Sequence, residues 1–273
     1  MKKLLSFTLL LISNLIFGQN PEKIQPLLPK IDAIFEEFKT KNNLPSVAYG
    51  LVVDGKIIYQ KSIGATNYKT NQLADNQSVY RIASMSKSFA SVAILQLRDA
   101  GKLKLDNPVS MYIPELKGQK YSKNSPEITI RHLLTHAAGF PEDNPWGDRQ
   151  LGISEAKMLT MFKKGITFSN EPGIAYEYSN MGFAMLGYII KKVSGQSYQT
   201  YIINNIWKPL GMNNTYWEYV KVPDKQLVRG YRWLKNEQIE QPLEHDGAYG
   251  IMGGMLTTIE DFGKYMGIHQ AAY

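Results

Sequence analysis

Tyr80-Arg81-Ile82-Ala83-Ser84-Met85-Ser86-Lys87-Ser88-Phe89 is the stretch on which the reading of this chain turns. An extended approach ends at Ser84, and a helix runs on through Phe89, Val92, Leu95 and Leu97 to a stop at Gly101. A serine three residues before a lysine at a helix start sets the hydroxyl and the ammonium side by side on one face. The helix N-terminus adds unpaired N–H groups and a positive dipole end, which favour an alkoxide or an oxyanion. An unassisted serine hydroxyl is a poor nucleophile, and a neighbouring amine able to take its proton supplies what is missing. Alone, the same four residues describe an N-cap serine and a solvated lysine. The chemistry needs partners.

They follow downstream. Glu171-Pro172-Gly173 opens a loop to Tyr178-Ser179-Asn180, and the apolar helix Phe183-Ala184-Met185-Leu186-Gly187 comes next. Leu44-Pro45-Ser46-Val47, Gly101-Lys102-Leu103 with Leu105-Asp106, and Ile130-Arg131-His132-Leu133-Leu134-Thr135-His136 belong to the same pattern, as do Pro209-Leu210-Gly211-Met212 and Gly253-Gly254-Met255-Leu256-Thr257-Thr258 with Asp261. Ser-x-x-Lys followed by Tyr-x-Asn, with these segments in order over about residues 24 to 267, resembles the class C β-lactamases and their penicillin-binding and esterase relatives.

The resemblance implies a mixed α/β (α+β) fold of the β-lactamase/transpeptidase kind, a helical region beside an antiparallel sheet. It also implies acyl transfer through a serine, with neither metal nor cofactor. Ser84 would attack a carbonyl and form an acyl-enzyme. Lys87 would accept or relay its proton, since burial favours the neutral amine. Tyr178 would share that work and serve the leaving group or the hydrolytic water. Residue types do not say which of the two is the base. Asn180 would hold Lys87 and contact the substrate's own amide. Without Ser84 and Lys87, Tyr178 and Asn180 would read as a turn aromatic and a helix N-cap.

The departures from the pattern matter as much. Relatives carry a Lys-Thr-Gly or His-x-Gly strand well after the Gly-Gly segment. Here the candidate after Tyr178 is His245-Asp246-Gly247, immediately before Gly253-Gly254. Relatives also continue into three more strands and a closing helix beyond the position of Tyr273. The sheet is therefore expected to be reduced to its N-terminal hairpin. A backbone N–H on the absent strand normally supplies an oxyanion donor, and losing one such donor costs roughly 10²–10³ in turnover. The chain as given is thus expected to acylate with little turnover. Ala137-Ala138 replaces the Thr-Ser common after His136 in relatives.

Substrates implied by the resemblance are β-lactams, D-Ala-type peptides of the peptidoglycan kind, or small esters. The alternative is a non-catalytic β-lactam- or cell-wall-binding domain, or an inactive truncated homologue; fast release of the acyl group would mark an enzyme.

Elsewhere the residues read more simply. Lys2 and Lys3 precede an apolar run from Leu4 to Phe17 that ends at Gly18-Gln19. This is the pattern of a secretory signal peptide over residues 1–18, leaving a domain over 19–273 in the periplasm or medium. The run is shorter than the roughly 20 residues of a membrane span. With no cysteine, the chain has neither disulfides nor thiol chemistry. The formal charge of +7 becomes +5 without the two leader lysines, and no Arg-rich cluster or RNA motif supports nucleic-acid binding. Ile24, Leu27, Leu28, Ile31, Ile34, Phe35 and Phe38 recur at helical spacing, an amphipathic helix starting near Pro29 and packing on a sheet. Val47–Val53 and Ile57–Ser62 read as a hairpin across Asp54-Gly55. Gly50 to Lys56 mimics a phosphate loop, but Ile57 stands where a Ser or Thr is needed. His132 and His136 have the spacing of zinc ligands, yet Leu133 replaces the glutamate base and no third ligand stands out, so both are expected to be structural and to lie under the nucleophile helix. Val228–Leu234 and Gln238–Gln241 suggest a second hairpin across Lys235-Asn236; Trp217, Tyr219, Tyr231 and Trp233 there are expected to pack, or to line a substrate wall.

Protein recovered from the periplasm or medium should begin near Gln19; N-terminal sequencing that finds Met1 on membrane-embedded material would overturn the leader.

Overall fold

The computed structural model describes residues 23–271. The expected leader, residues 1–18, lies outside them. Helix α1 (Leu28–Lys41) leads into β1 (Ser46–Val53), β2 (Lys56–Asn67) and the two-residue β3 (Gln72–Leu73), then β4 (Tyr80–Arg81) and α2 (Ser86–Asp99). A helical stretch follows: α3 (Ile130–Leu134), α4 (Asn144–Gly147), α5 (Glu155–Lys164), α6 (Asn180–Ser194) and α7 (Tyr198–Ile202), which runs through a π-helical segment into α8 (Lys208–Leu210). The hairpin β5 (Gly230–Leu234) and β6 (Glu237–Gln241), strand β7 (Leu256–Thr257) and α9 (Ile259–Ala271) complete the order.

The two hairpins expected from turn chemistry form. Asp54 and Gly55 both take positive φ (49° and 74°), as do Lys235 and Asn236 (52° and 63°), the backbone that suits a two-residue hairpin turn. β2 extends past Ser62 to Asn67 and picks up β3, so the sheet has three strands in the order β1-β2-β3 rather than two. Helix α9 lies across β1 and β2, and Gly263 is in so close to Ile57 that a Cβ there would collide with its side chain. The β5–β6 hairpin stands apart. Tyr231 meets Tyr68 edge-on, and Tyr231 Oη accepts from the Tyr68 N–H. Trp217 is buried and stacks on Trp207, whereas Trp233 stays exposed.

The main core lies between α2 and α6. Phe89, Ala90, Ala93, Ile94 and Leu97 form the buried face of α2, while Val92 and Leu95 are half-buried. The two alanines are small enough to let α6 approach with Phe183, Met185, Leu186, Ile189 and Ile190. Gly101, at φ 70°, ends α2, with its N–H and that of Lys102 donating back to Arg98 and Leu97 carbonyls.

Helix α1 departs from the expected apolar docking. Ile34 and Phe38 remain 56% and 53% exposed, and only part of the apolar stripe, led by Phe35 stacked on Tyr49 at 3.9 Å, meets the sheet. The sheet also meets α1 with polar groups, Tyr49, Tyr59 and Lys61. Asp32 answers all three, accepting from the two phenols at 2.7 Å and from Lys61 Nζ at 2.8 Å.

These donors hold the Asp32 carboxyl at about 2, against an ordinary 3.8, with Lys61 the largest influence. A depressed carboxyl stabilises the fold fully above its ordinary range and ceases to do so as pH falls through about 2. Acid unfolding followed by fluorescence should therefore lose a component below pH 4 in Asp32→Asn. An unchanged acid transition would show that α1 is held by other means.

Candidate active site

The nucleophile candidate is placed by backbone before it is placed by side chains. β4 pairs with β7, Tyr80 opposite Thr257 and Arg81 opposite Leu256, and the Ile82 N–H donates to the Met255 carbonyl at 3.0 Å. Ser86 Oγ, fully buried, donates to the Ala83 carbonyl and accepts from the Met255 N–H. Between these ties the chain turns sharply: Ala83 has φ 46°, a strained value for a residue with a Cβ. The turn lifts Ser84 out of the strand, exposed, one 3₁₀ turn ahead of α2.

Lys87, one turn on, is only 6% exposed. Its ammonium donates to Ser84 Oγ at 3.0 Å, to Asn180 Oδ1 at 2.7 Å and to the Met252 carbonyl at 2.7 Å. Three N–H donors meet three acceptors, the condition under which a buried charge is tolerated. Tyr178 Oη donates to the same Ser84 Oγ at 2.6 Å, and its ring lies 4.8 Å from Lys87 Nζ. Ser84 and Lys87 from one segment thus meet Tyr178 and Asn180 from another: Lys87 and Tyr178 converge on the serine oxygen, and Asn180 holds Lys87.

Burial acts on the two candidate bases in opposite directions. It pushes the Lys87 ammonium down to about 8, with Asp148 and Asp143 opposing, and it pushes the Tyr178 phenol up. His136 stacks on the Tyr178 ring at 4.5 Å and touches Phe183 of α6, so it supports the tyrosine rather than lying under α2. Its Nδ1 accepts from the Ser179 N–H at 3.0 Å, and burial followed by the charge of Lys87 pushes the imidazole down to about 4. His132 Nδ1 accepts from the Thr129 N–H inside the capping box of α3. Each histidine therefore has a structural use. The N-cap of α6 is Ser179, whose Oγ accepts from the Gly182 N–H, and this frees the Asn180 side chain for Lys87.

His245-Asp246-Gly247 does not join this group. His245 Nδ1 bonds Glu218, and Asp246 accepts from Tyr198 Oη and Gln199 Nε2. Gly247 packs on the backbone of residues 151–153. Its role is to hold the approach to the Gly-rich segment.

A family model described as Beta-lactamase matches residues 31–272. The chain belongs to the beta-lactamase family. Among curated family relatives, Protein flp of Staphylococcus aureus (strain COL) is 33% identical over 233 residues, covering 85% of this chain and 47% of that protein. Beta-lactamase-like protein 2 of Dictyostelium discoideum is 30% identical over 263 residues, with 91% and 46% covered. The chain spans about half the length of these relatives. The octameric penicillin-binding protein homologue from Pyrococcus abyssi superposes with a TM-score of 0.78 at 29% identity, over 90% of this chain and 56% of that one. A class C beta-lactamase gives 0.74 at 25%, over 89% and 64%.

Within this beta-lactamase-family site, sequence reasoning missed the Met252 carbonyl and Asp143 with Asn144. A backbone acceptor has no residue signature, but the glycines around Met252 do. A Cβ on Gly250 would strike the Asp246 carboxylate and Tyr198 hydroxyl, and one on Gly254 would sit 2.9 Å from the Gly250 carbonyl. The segment that delivers the Met252 carbonyl can fit only with glycine there. Gly250→Ala is expected to lower stability by about 1–3 kcal/mol through overpacking, read as a fall in Tm. A wild-type Tm would mean that the loop shifts freely and does not fix Met252.

Proposed function

We propose that this chain is a serine hydrolase that works through an acyl-enzyme, with Ser84 as nucleophile, Lys87 as its proton acceptor, Tyr178 as proton shuttle and Asn180 as the group that positions Lys87. The observation that carries the reading is the convergence of Lys87 Nζ and Tyr178 Oη on Ser84 Oγ, at 3.0 and 2.6 Å. Lys87 is the better base of the two. Burial brings its proton loss to about 8 while moving the phenol's higher, so near neutral pH the amine gives up its proton first.

The steps follow from what each group can hold. Ser84 Oγ attacks the substrate carbonyl as its proton passes to neutral Lys87. The oxyanion grows beside the N-terminal end of α2, where the helix dipole favours it. The ammonium then returns a proton through Tyr178 to the leaving nitrogen or oxygen. Water, activated through the same pair, releases the acyl group and restores Ser84. Substrates that suit an exposed serine with an amide beside it are β-lactams, D-Ala-type peptides and small esters, and the leader pattern at residues 1–18 supports an enzyme that meets them outside the cytoplasm.

Two measurements test this. A reactive penicillin or an activated ester should leave a covalent mass adduct on Ser84 that is absent in Ser84→Ala. The rate of its formation should rise with pH through about 8, as Lys87 loses its proton. No adduct, or a rate that is flat across that range, would sink the assignment. The rate of adduct release separates an enzyme from a binder.

A further inference from the structure

Asn180 can hold Lys87 only one way round. Its amide has an acceptor at one end and two donors at the other, exchanged by a half-turn of the side chain. Oδ1 accepts from Lys87 Nζ at 2.7 Å, and Nδ2 donates to Asn144 Oδ1 at 3.1 Å. The reverse orientation would set N–H groups against an ammonium, at a residue that is fully buried. Tyr178-Ser179-Asn180 does not itself choose between the two. Lys87, which can only donate, selects the oxygen, and Asn144 Oδ1 gives the other end of the amide its acceptor.

The backbone beneath Asn180 is held by the same loop. Asp143 Oδ1 accepts from the Asn180 N–H and Oδ2 from the Met181 N–H, each at 2.7 Å. Two donors otherwise left open at the start of α6 are thus satisfied by a carboxylate on the positive helix end. Gly147 completes the contact: a Cβ there would lie 2.8 Å from Asn180 Cβ and Nδ2, so the backbone of α4 rests directly on the amide.

We propose that Asp143 and Asn144 are positioning residues for acyl transfer: Asn144 braces the far end of the Asn180 amide and Asp143 anchors the backbone under it, so that Lys87 keeps its acceptor beside Ser84. The kinetic consequence rests on the catalytic reading of Ser84 and Lys87; the geometric one does not. Asp143 and Asn144 hydrogen-bond Asn180 and not Ser84 or Lys87, so they act through it. Asp143 also bears on Lys87 by charge. The groups facing Lys87 are Ser84 on the turn before α2, Tyr178 and Asn180 at the start of α6, His136 behind Tyr178, and the Met252 carbonyl. Asp143 and Asp148 supply the negative charge that favours its ammonium, and Tyr249 on the far side of Asp143 is buried and held protonated. Removing the Asp143 charge must therefore lower the pH at which Lys87 loses its proton.

The test compares the wild-type chain with Asn144→Leu, Asn144→Asp and Asp143→Asn. It reads the Ser84 acylation rate with a chromogenic penicillin, the Lys87 titration by ¹³Cε NMR, and the Tm. Asn144→Leu should slow acylation at saturation by about tenfold to a hundredfold, the scale of a misplaced group, with little change in half-saturation. Asn144→Asp keeps an oxygen for Nδ2 but adds a charge that favours the ammonium, so compared at a pH above the Lys87 midpoint it should recover most of the rate. Asn144→Leu and Asp143→Asn should both move the Lys87 midpoint below its wild-type value of about 8. Wild-type acylation in Asn144→Leu, or an Asn144→Asp no faster than Asn144→Leu at equal Tm, would overturn the proposal. Should Asn144→Leu fail to fold, Asn144→Ala, read by the same acylation rate, decides it. Absence of any adduct in the wild type would fail the catalytic reading, whereas a Lys87 midpoint unmoved in every variant would fail the positioning itself.

Discussion

A charged lysine buried at the centre of a protein must have an acceptor for each of its three N–H groups, and most of the surroundings of Lys87 follow from that demand. One acceptor, Ser84 Oγ, comes from the turn before its own helix. Another comes from the first residue of α6 and the third from the Gly-rich segment before β7. Leaving any of them unmade would strand a donor or a charge at a residue that is almost wholly buried, a larger loss than the bond itself is worth. The small residues of the region serve this convergence. Ala90 and Ala93 let α6 draw near, and Gly250 lets the chain pass close enough to present the Met252 carbonyl.

The same burial sorts the protons of the site. Desolvation disfavours whichever form is charged, so it lowers the ammonium of Lys87, raises the phenol of Tyr178 and lowers the imidazole of His136. At neutral pH the tyrosine and the histidine are neutral, and the lysine alone is close to exchanging its proton. His136 then has a defined task. Its Nδ1 must stay free of a proton to accept from Ser179, and in that state it stacks on Tyr178 without adding a positive charge beside Lys87. One physical term, acting on three residue types, leaves a single titrating group beside the serine.

Membership of the beta-lactamase family fits this arrangement, and the matched residues, 31–272, include the elements that build it. The periphery is held by different means. Helix α1 is tied to the sheet by one carboxylate answering two phenols and an ammonium, with half of its apolar stripe left in solvent. The β5–β6 hairpin meets the rest through an aromatic pair and the ion pair of Lys69 with Glu240. These attachments are polar or aromatic, in contrast to the aliphatic packing of the seam between α2 and α6.

The sequence by itself determined the elements whose cause is local. Positive-φ turns at Asp54-Gly55 and Lys235-Asn236 made two hairpins readable, and Gly101 marked the end of α2. Ser84 and Lys87 could be paired because three residues of helix bring them together, and Tyr178 and Asn180 could be joined to them because the whole order of segments resembles a known family. Three things were decided only by tertiary structure. β4 and β7 are two residues each and nearly 180 positions apart, too short to show periodicity, yet they aim the nucleophile turn. The Met252 carbonyl is a backbone atom that every residue possesses, so nothing in the residue type announces it. Asp143 and Asn144 read as ordinary loop residues until the start of α6 is laid against them. A sequence shows what a side chain can do and what lies within a turn of it; which distant atom meets it is settled when the chain closes around a buried charge.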